Sequence, residues 1–263
     1  MSTTTAHYQV LGEGTPVVLL HGFCEDLTIW DNFIPPLIAQ YKIITIDLPG
    51  FGQSATIPNA TIEDFADAVA TVLQALNIEK AIVIGHSMGG YATLAFAKKY
   101  PNKVLGLGLF HSHPFEDDTE RKANRQKAID FIKAHGTLPF VKQMIPKLFA
   151  PHFADSHPKL MEIAIQRAAS YPQIGVTTAL KAMKNRADQV AFLQQVTCPV
   201  LFIIGKEDAS VPYQNSLKMS YMPAVSQVCI LDKVGHSGMF ESPEACRKAI
   251  EDFIQLSILT IDC

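Results

Sequence analysis

The chain alternates between short, uninterrupted apolar runs and longer segments in which apolar residues recur at helical spacing. A short continuous apolar run is typical of a strand buried on both faces of a parallel sheet. One helix is predicted over Thr61–Leu76, where Thr61 and Asp64 form a capping-box pattern. Another is expected over Trp30–Gln40, interrupted by two consecutive prolines. Strands are predicted over Tyr8–Leu11, Pro16–Leu20, Ile43–Ile46, Ala81–Ile84, Val104–Phe110, Pro199–Ile204 and Gln227–Leu231.

The alternation of strands and helices stops across residues 113–195. A charged helix is predicted over Asp117–His135, and prolines break three further helical stretches that carry no strong strand pattern. On either side of this region, strands and helices follow each other as in a parallel sheet covered on both faces. We therefore predict an α/β fold in which residues 1–112 and 196–263 form a mostly parallel, doubly wound core. Residues 113–195 are predicted to form a helical insertion.

The composition is that of a soluble globular protein and argues against several classes of partner. The 263 residues are 48% hydrophobic and 18% charged, and the formal net charge is −3 at pH 7. Such a chain has no basic field to attract nucleic acid or an anionic membrane, so neither partner is expected. The segment Met1–Thr5 lacks the basic flank of a signal peptide, and the five cysteines are scattered without C-x-x-C spacing. These features predict a cytoplasmic protein with reduced thiols rather than disulfides or a zinc site.

One segment predicts a sharp corner with a serine at its apex. Gly85-His86-Ser87-Met88-Gly89 follows the predicted strand Ala81–Ile84 and opens a helix that extends to Tyr100. The two outer glycines fit this geometry because side chains there would collide across so tight a turn. The turn exposes the Ser87 hydroxyl near the free N–H groups and positive dipole of a helix N-terminus, which favour developing negative charge.

Candidate partners for Ser87 follow the last two predicted strands. A serine hydroxyl becomes a good nucleophile when a base removes its proton, and the pKa of histidine suits that task near neutrality. His236 follows the last predicted strand and Asp208 the one before it, so both are expected at the same end of the sheet as Ser87. Asp208 is placed to orient the imidazole and stabilise the imidazolium. Its neighbour Glu207 is the rival for this role.

Five motifs in this order resemble those of the α/β-hydrolase family, and their joint occurrence is highly specific. The resemblance covers nearly the whole chain and places the helical insertion where that family carries its cap. It implies an α/β-hydrolase fold with an inserted helical cap, and it favours Asp208 over Glu207 as the acid. The motifs are His21-Gly22-Phe23, Asp47–Ser54, Gly85–Gly89, Gly205–Asp208 and Gly235-His236.

Residues around the predicted nucleophile have expected roles of their own. The backbone N–H groups of Met88 and Phe23 are predicted to form the oxyanion hole. His86 is expected to orient or pack rather than act as the base, because its side chain points away from the serine in a tight elbow. Asp47 is expected to form a turn. The segment Cys24-Glu25-Asp26 is unusually acidic for this family and is expected to alter the mouth of the site.

The predicted activity is hydrolysis of an ester, thioester or lactone of a small, uncharged or modestly polar substrate through an acyl-enzyme. No cofactor is expected, and the pair His111 and His113 is not expected to bind a metal, since no carboxylate or cysteine with ligand spacing accompanies it. A C–C bond hydrolase with the same triad is one alternative. A ligand receptor that retains the triad and signals by cap closure is the other. Apolar residues are expected to line the outer wall of the pocket: Phe140, Met144, Leu148 and Phe149.

Overall fold

The computed structural model describes residues 6–260, so the Met1–Thr5 segment and Cys263, one of the five cysteines, lie outside the described residues. All seven predicted strands are found, two with the predicted bounds and five with ends shifted by one or two residues. They are β1 (Tyr8–Leu11), β2 (Thr15–Leu20), β3 (Tyr41–Ile46), β4 (Ala81–His86), β5 (Val104–Phe110), β6 (Val200–Gly205) and β7 (Ser226–Leu231). They form one sheet in the order β1-β3-β2-β4-β5-β6-β7, in which only β1 is antiparallel to its neighbour.

Both faces of this sheet are buried, as the continuous apolar runs predict. Neighbouring residues of β2 point to opposite faces, so that Val18 packs with Phe65 in one apolar cluster and Val17 packs with Phe253 in another. The α-helices are α1 (Ile62–Ala75), α2 (Met88–Lys99), α3 (Thr119–His135), α4 (Thr137–Met144), α5 (Pro151–Ser156), α6 (Pro158–Ser170), α7 (Gln173–Asn185), α8 (Val190–Gln195), α9 (Tyr213–Ser220), α10 (Gly238–Glu241) and α11 (Pro243–Leu259). The predicted doubly wound arrangement is therefore confirmed.

The first two predicted helices have different outcomes. In α1 the capping box is present, since the Asp64 N–H donates to Thr61 Oγ1 and the Thr61 N–H donates to Asp64 Oδ2 at 2.7 Å. The helix expected over Trp30–Gln40 is wrong, because only short 3₁₀ turns form, at Leu27–Trp30 and Leu37–Ala39. The two prolines between these turns lack amide protons, and a proline disfavours helical backbone in the residue before it.

The chain between β5 and β6 is helical and contributes no strand to the sheet. The charged helix predicted near its start is α3, which packs along α7, while α4 packs along α6. The backbone of α7 touches the core directly, since a Cβ on Gly175 would lie 2.4 Å from the carbonyl oxygen of Gly50. Across residues 6–260, no helix is both long enough and apolar enough to cross a bilayer.

Candidate active site

Ser87 occupies the predicted corner between β4 and α2. Its backbone has φ 49° and ψ −112°, a left-handed geometry that costs a non-glycine residue energy. The two flanking glycines meet across the turn, because a Cβ on Gly85 would lie 2.1 Å from the backbone of Gly89. The Ser87 N–H donates to the carbonyl of Phe110 at 2.9 Å, and the Ser87 carbonyl accepts from Ser112 Oγ at 2.7 Å. The corner is thus held from both sides by the end of β5.

The loop after β2 is fixed by a buried histidine. His21 Nδ1 donates to the carbonyl of Gly22 at 2.7 Å, while its Nε2 accepts the N–H of Leu48 at 2.9 Å. Burial lowers the pKa of His21, so the neutral ring matches this pattern of one donor and one acceptor. Phe23 follows in this loop and lines the same cavity as Ser87. Met88 begins α2, where an N–H group has no acceptor within the helix.

Asp208 and His236 are brought together as predicted. His236 Nδ1 donates to Asp208 Oδ2 at 2.7 Å, and Asp208 Oδ1 accepts the N–H groups of Ser210 at 2.8 Å and Val211 at 2.9 Å. Burial raises the pKa of Asp208, but the neighbouring histidines outweigh it and set that pKa well below its usual range. Because Nδ1 is bound to the carboxylate, Nε2 is the nitrogen of His236 available to Ser87. Glu207 is exposed, and its carboxylate lies 3.8 Å from His152.

A second histidine contacts the same carboxylate and was missed in this role by sequence reasoning. His111 Nδ1 lies 3.3 Å from Asp208 Oδ2, and His111 Nε2 accepts the N–H of Gly238 at 3.2 Å. Burial lowers the pKa of His111 to about 4, so the ring is neutral near pH 7. The only sequence signal was the H-x-H pair, but His113 contacts the hydroxyl of Tyr91 instead.

A carboxylate accompanies His111 in space, although none does so at ligand spacing in the sequence. His111, Asp208 and His236 place potential metal-ligand atoms within 4.8 Å of one another. However, His236 Nδ1 and Asp208 Oδ2 are 2.7 Å apart, which is a hydrogen-bond distance. Two ligands on one tetrahedral ion with bonds of about 2.0–2.2 Å lie more than about 3 Å apart. The arrangement is therefore that of a hydrogen-bonded network around a carboxylate.

Beneath the elbow, Glu25 and His86 form a buried ion pair that joins three loops. His86 Nδ1 donates to Glu25 Oε2 at 2.8 Å, His86 Nε2 donates to the carbonyl of His236 at 2.8 Å, and the Gly22 N–H donates to Glu25 Oε2 at 2.6 Å. Burial lowers the pKa of His86, but the Glu25 carboxylate outweighs it and the net shift is upward. His86 orients its neighbours, as predicted. The acidic loop supplies its counter-ion.

The other singled-out carboxylates are structural. Asp47 accepts the N–H of Leu27 at 2.8 Å and the N–H of Gln53 at 2.8 Å, so it organises the turns predicted for it. Asp26 caps the first 3₁₀ turn by accepting the N–H of Thr28 at 2.9 Å, and it also accepts the hydroxyl of Tyr171 at 2.9 Å. The second contact joins the acidic loop to the helical segment between β5 and β6.

The loop that carries His236 is also bonded to this helical segment. The His236 N–H donates to the carbonyl of Leu148 at 2.8 Å. The Glu241 carboxylate accepts the N–H groups of Ala150 at 2.9 Å, Gly235 at 3.0 Å and Ser237 at 3.1 Å. One side chain therefore ties the backbone on both sides of His236 to the chain just before α5.

Ser87 and His236 open onto a shared cavity of about 170 Å³, whose wall includes Phe23. Met144 and Leu148 from the helical segment close it from outside, as predicted for the pocket's outer wall. Its small volume and its position at the strand ends fit a site for a small molecule.

Two further spaces adjoin this cavity. A larger one of about 320 Å³ shares Leu148 and Glu25 with it and includes Phe149, another of the predicted wall residues. An open cleft is lined by Phe140, the fourth predicted wall residue, with Phe23, Asn124 and Ala209. The cavity at Ser87 therefore shares wall residues with both a larger cavity and an open cleft.

Comparison with known proteins decides the family. The sequence profile of the alpha/beta hydrolase fold matches residues 15–243, from the start of β2 to the first residue of α11. The chain is an α/β-hydrolase. The family predicted from the five motifs is thereby confirmed, and the match contains the serine elbow and the loops that carry Asp208 and His236.

Similar proteins of this family differ in the bonds they hydrolyse. A thermophilic esterase from Thermogutta terrifontis, solved with malate bound, superposes on the hydrolase with a TM-score of 0.91 at 33% identity, covering 95% of this chain and 93% of that one. The 3-oxoadipate enol-lactonase 1 of Acinetobacter baylyi is 27% identical over 95% of this chain and 93% of its own length. The 2-hydroxy-6-oxo-6-phenylhexa-2,4-dienoate hydrolase of Comamonas testosteroni is 26% identical over 97% of this chain and 93% of its own. Hydrolysis is common to all three.

Replacing Glu25 by glutamine is expected to lower the free energy of unfolding of this hydrolase by about 3–5 kcal/mol at pH 6, because a buried cation loses its partner. The pKa of Glu25 is lowered from its ordinary 4.5, since contacts with His86 outweigh burial, and that of His86 is raised from 6.5. The ion pair therefore makes its full contribution to the free energy of unfolding between the ordinary pKa values, from pH 4.5 to 6.5. It is lost below them as Glu25 is protonated, and above them as the pH rises through the folded-state pKa of His86.

Chemical denaturation at pH 6 and pH 9 measures this effect, and the difference between wild type and Glu25→Gln is expected to be smaller at pH 9. Glu207→Gln is the matched control, since it removes an exposed carboxylate and is expected to change stability by less than about 0.5 kcal/mol. Equal stability of wild type and Glu25→Gln at pH 6 would show that the buried pair is not ionised.

Proposed function

We propose that the chain is a serine hydrolase that cleaves an ester, thioester or lactone of a small substrate through an acyl-enzyme on Ser87. The observation that supports this most directly is the buried hydrogen bond between Asp208 and His236, whose imidazole shares a cavity with a serine at a strained elbow. Nucleophile, acid and base (Ser87, Asp208 and His236) occur in the chain order that the elbow fold requires.

In the first step, Ser87 Oγ attacks the substrate carbonyl while its proton passes to His236 Nε2. Asp208 stabilises the resulting imidazolium, because its carboxylate stays ionised and accepts a hydrogen bond from the Nδ1–H group. The oxyanion lies against the N–H groups of Met88 and Phe23, both fixed before the reaction by the helix start and the loop held by His21. His236 then donates its proton to the leaving group.

In the second step, a water molecule attacks the acyl-enzyme with His236 as the base, which releases the acid and restores Ser87. We assign residues 113–195 as the cap that shields this intermediate. Met144 and Leu148 from this segment cover the cavity over the nucleophile. The reaction requires no cofactor, since every proton transfer is made between the triad, substrate and water.

The proposal is tested with a fluorophosphonate of low molecular mass, which forms a stable adduct resembling the tetrahedral intermediate. Wild type is expected to take up one equivalent per chain, with the added mass on the peptide that contains Ser87, and to lose ester hydrolysis in parallel. Ser87→Ala is expected to remain unlabelled. Absence of labelling together with absence of turnover of activated esters between pH 6 and 9 contradicts the proposal.

A C–C bond hydrolase is the second candidate, favoured by the similarity to the Comamonas testosteroni enzyme. Slow turnover of p-nitrophenyl acetate, with faster cleavage of a vinylogous 1,5-diketone, identifies this activity. A ligand receptor on the same fold gives a third result, since it is labelled at Ser87 but stops after about one turnover. The three activities are distinguished by comparing the initial burst of product with the steady-state rate for these substrates.

A further inference from the structure

Helix α3 turns two arginines toward the cavity that contains Ser87. Arg121 and Arg125, four residues apart and so on the same face of the helix, both line this cavity together with Ser87 and His236. The same two arginines also line the adjoining open cleft. A substrate group entering by the cleft therefore passes both guanidinium groups before it reaches the nucleophile.

These arginines belong to a cluster with more positive than negative charge. The buried Asp117 carboxylate pairs with Arg125 and, at 2.8 Å, with Arg186. Burial raises the pKa of Asp117, but these two arginines outweigh it and hold the carboxyl ionised. Arg121 stands apart. No carboxylate among residues 6–260 forms an ion pair with it.

The guanidinium of Arg121 contacts uncharged groups, whereas the Asp118 carboxylate accepts the backbone N–H of this residue at 2.7 Å. Its Nη2 donates to the carbonyl of Ser210 at 3.1 Å, and its Nη1 lies 3.5 Å from His113 Nε2. Burial and the adjacent guanidinium groups lower the pKa of His113 to about 3, so this ring does not add positive charge near pH 7. Three guanidinium groups and the Asp117 carboxylate thus lie near His113, and Arg121, one of the two arginines beside the cavity, is half-buried without an ion-pair partner among the described residues.

We propose that Arg121, with Arg125 beside it, binds a carboxylate group of the substrate, so that the hydrolase acts on acyl compounds that carry a second, anionic carboxylate. A guanidinium presents parallel N–H donors that match the two oxygens of a carboxylate. The small cavity restricts the group between the two carbonyl carbons to a short chain. This inference rests on the proposed function, and it replaces the uncharged or modestly polar substrate expected from the sequence.

The test compares two activated esters that differ in one charge, p-nitrophenyl butyrate and mono-p-nitrophenyl glutarate. Wild type is expected to have the higher kcat/KM for the glutarate ester. Arg121→Gln is expected to lower the ratio of the two kcat/KM values by about 10- to 100-fold, mostly through KM for the anionic ester, as the loss of a charged hydrogen bond predicts. Glutamine retains a donor for the Ser210 carbonyl, so a purely structural role of Arg121 would leave this ratio unchanged.

Lys122→Gln is the matched control, because it removes one positive charge from the next residue of α3. Its ammonium binds Glu116 on the exposed surface and does not line the cavity. The control is expected to keep the wild-type ratio. An equal fall of the kcat/KM ratio in Lys122→Gln would show that the effect comes from the general positive charge of the helix and would overturn the assignment of a site. An unchanged ratio in Arg121→Gln would overturn it as well.

Calorimetric titration with glutarate separates this inference from the proposed function, since binding requires no turnover. Wild type and Lys122→Gln are expected to bind glutarate at least tenfold more tightly than Arg121→Gln. If no ester is hydrolysed but glutarate binding still depends on Arg121, the serine mechanism fails and the carboxylate site stands. If butyrate ester is hydrolysed and neither the ratio nor glutarate binding depends on Arg121, the carboxylate site is rejected while the hydrolase mechanism stands.

Discussion

Ser87→Ala is expected to lower kcat for p-nitrophenyl butyrate by about five to six orders of magnitude, since the attacking atom is removed. A residual rate of roughly 10³–10⁴-fold over water is expected to remain, supplied by binding and by the amides of Met88 and Phe23. The variant is expected to fold normally. Alanine retains the Cβ, and the backbone bonds that hold position 87 to Phe110 and Ser112 involve only main-chain atoms of this residue.

Steady-state kinetics and thermal unfolding together check this prediction. Ser210→Ala is a suitable control, because it removes another hydroxyl from the wall of the same cavity while its backbone N–H still binds Asp208. It is expected to retain at least about a tenth of the wild-type kcat. Appreciable activity in Ser87→Ala, together with loss of activity in Ser210→Ala, would show that Ser210 rather than Ser87 is the nucleophile.

Asp208→Asn is expected to lower kcat by about four orders of magnitude with little change in KM. The structure explains why replacing one carboxylate oxygen by an NH₂ group is expected to cause so large a loss of activity. One carboxylate oxygen accepts the N–H groups of Ser210 and Val211, and the other contacts the Nδ1 atoms of His236 and His111. Either orientation of an asparagine amide therefore places its NH₂ group against donors, and relief requires a changed tautomer of His236.

Glu207→Gln provides the comparison, since this neighbouring carboxylate is exposed and lies 3.8 Å from His152. It is expected to retain kcat within about threefold. Rates of both variants, measured with the same ester across pH 6–9, decide between the two acids. A severe loss in Glu207→Gln with a mild one in Asp208→Asn would reverse the assignment.

The core of the fold was predictable because its strands are buried on both faces and so carry continuous apolar runs. Val17 and Val18, which face opposite sides of the sheet, are both fully buried. The serine corner was predictable for a similar local reason. The glycines around Ser87 are required because a Cβ at these positions would collide with backbone only a few residues away. The helix predicted over Trp30–Gln40 is absent, because the two prolines prevent the continuous helix that the spacing of the apolar residues indicates.

The ionic network below the site was beyond prediction because its members are distant in sequence. Glu25 and His86 are 61 residues apart, and nothing in either segment marks the other as its partner. His111 shows the same limit, since its contact with Asp208 depends on how β5 and β6 lie side by side. The lack of a carboxylate partner for Arg121 likewise emerges only when all of its neighbours in space are known.

The bonds from Leu148 and Glu241 to the His236 loop have a consequence for how the molecule exchanges its contents with solvent. Any outward movement of the chain near Leu148 and Ala150 would pull on the backbone of His236, the proposed base. If residues 113–195 act as the proposed cap, opening at this edge is expected to displace that base. We therefore expect substrate and product to pass through the cleft at Phe140 and Asn124, on the α3 side, so that the His236 loop stays in place. On this proposal, the cap opens at one edge and the chemistry takes place at the other, and turnover does not require the bond between Asp208 and His236 to break.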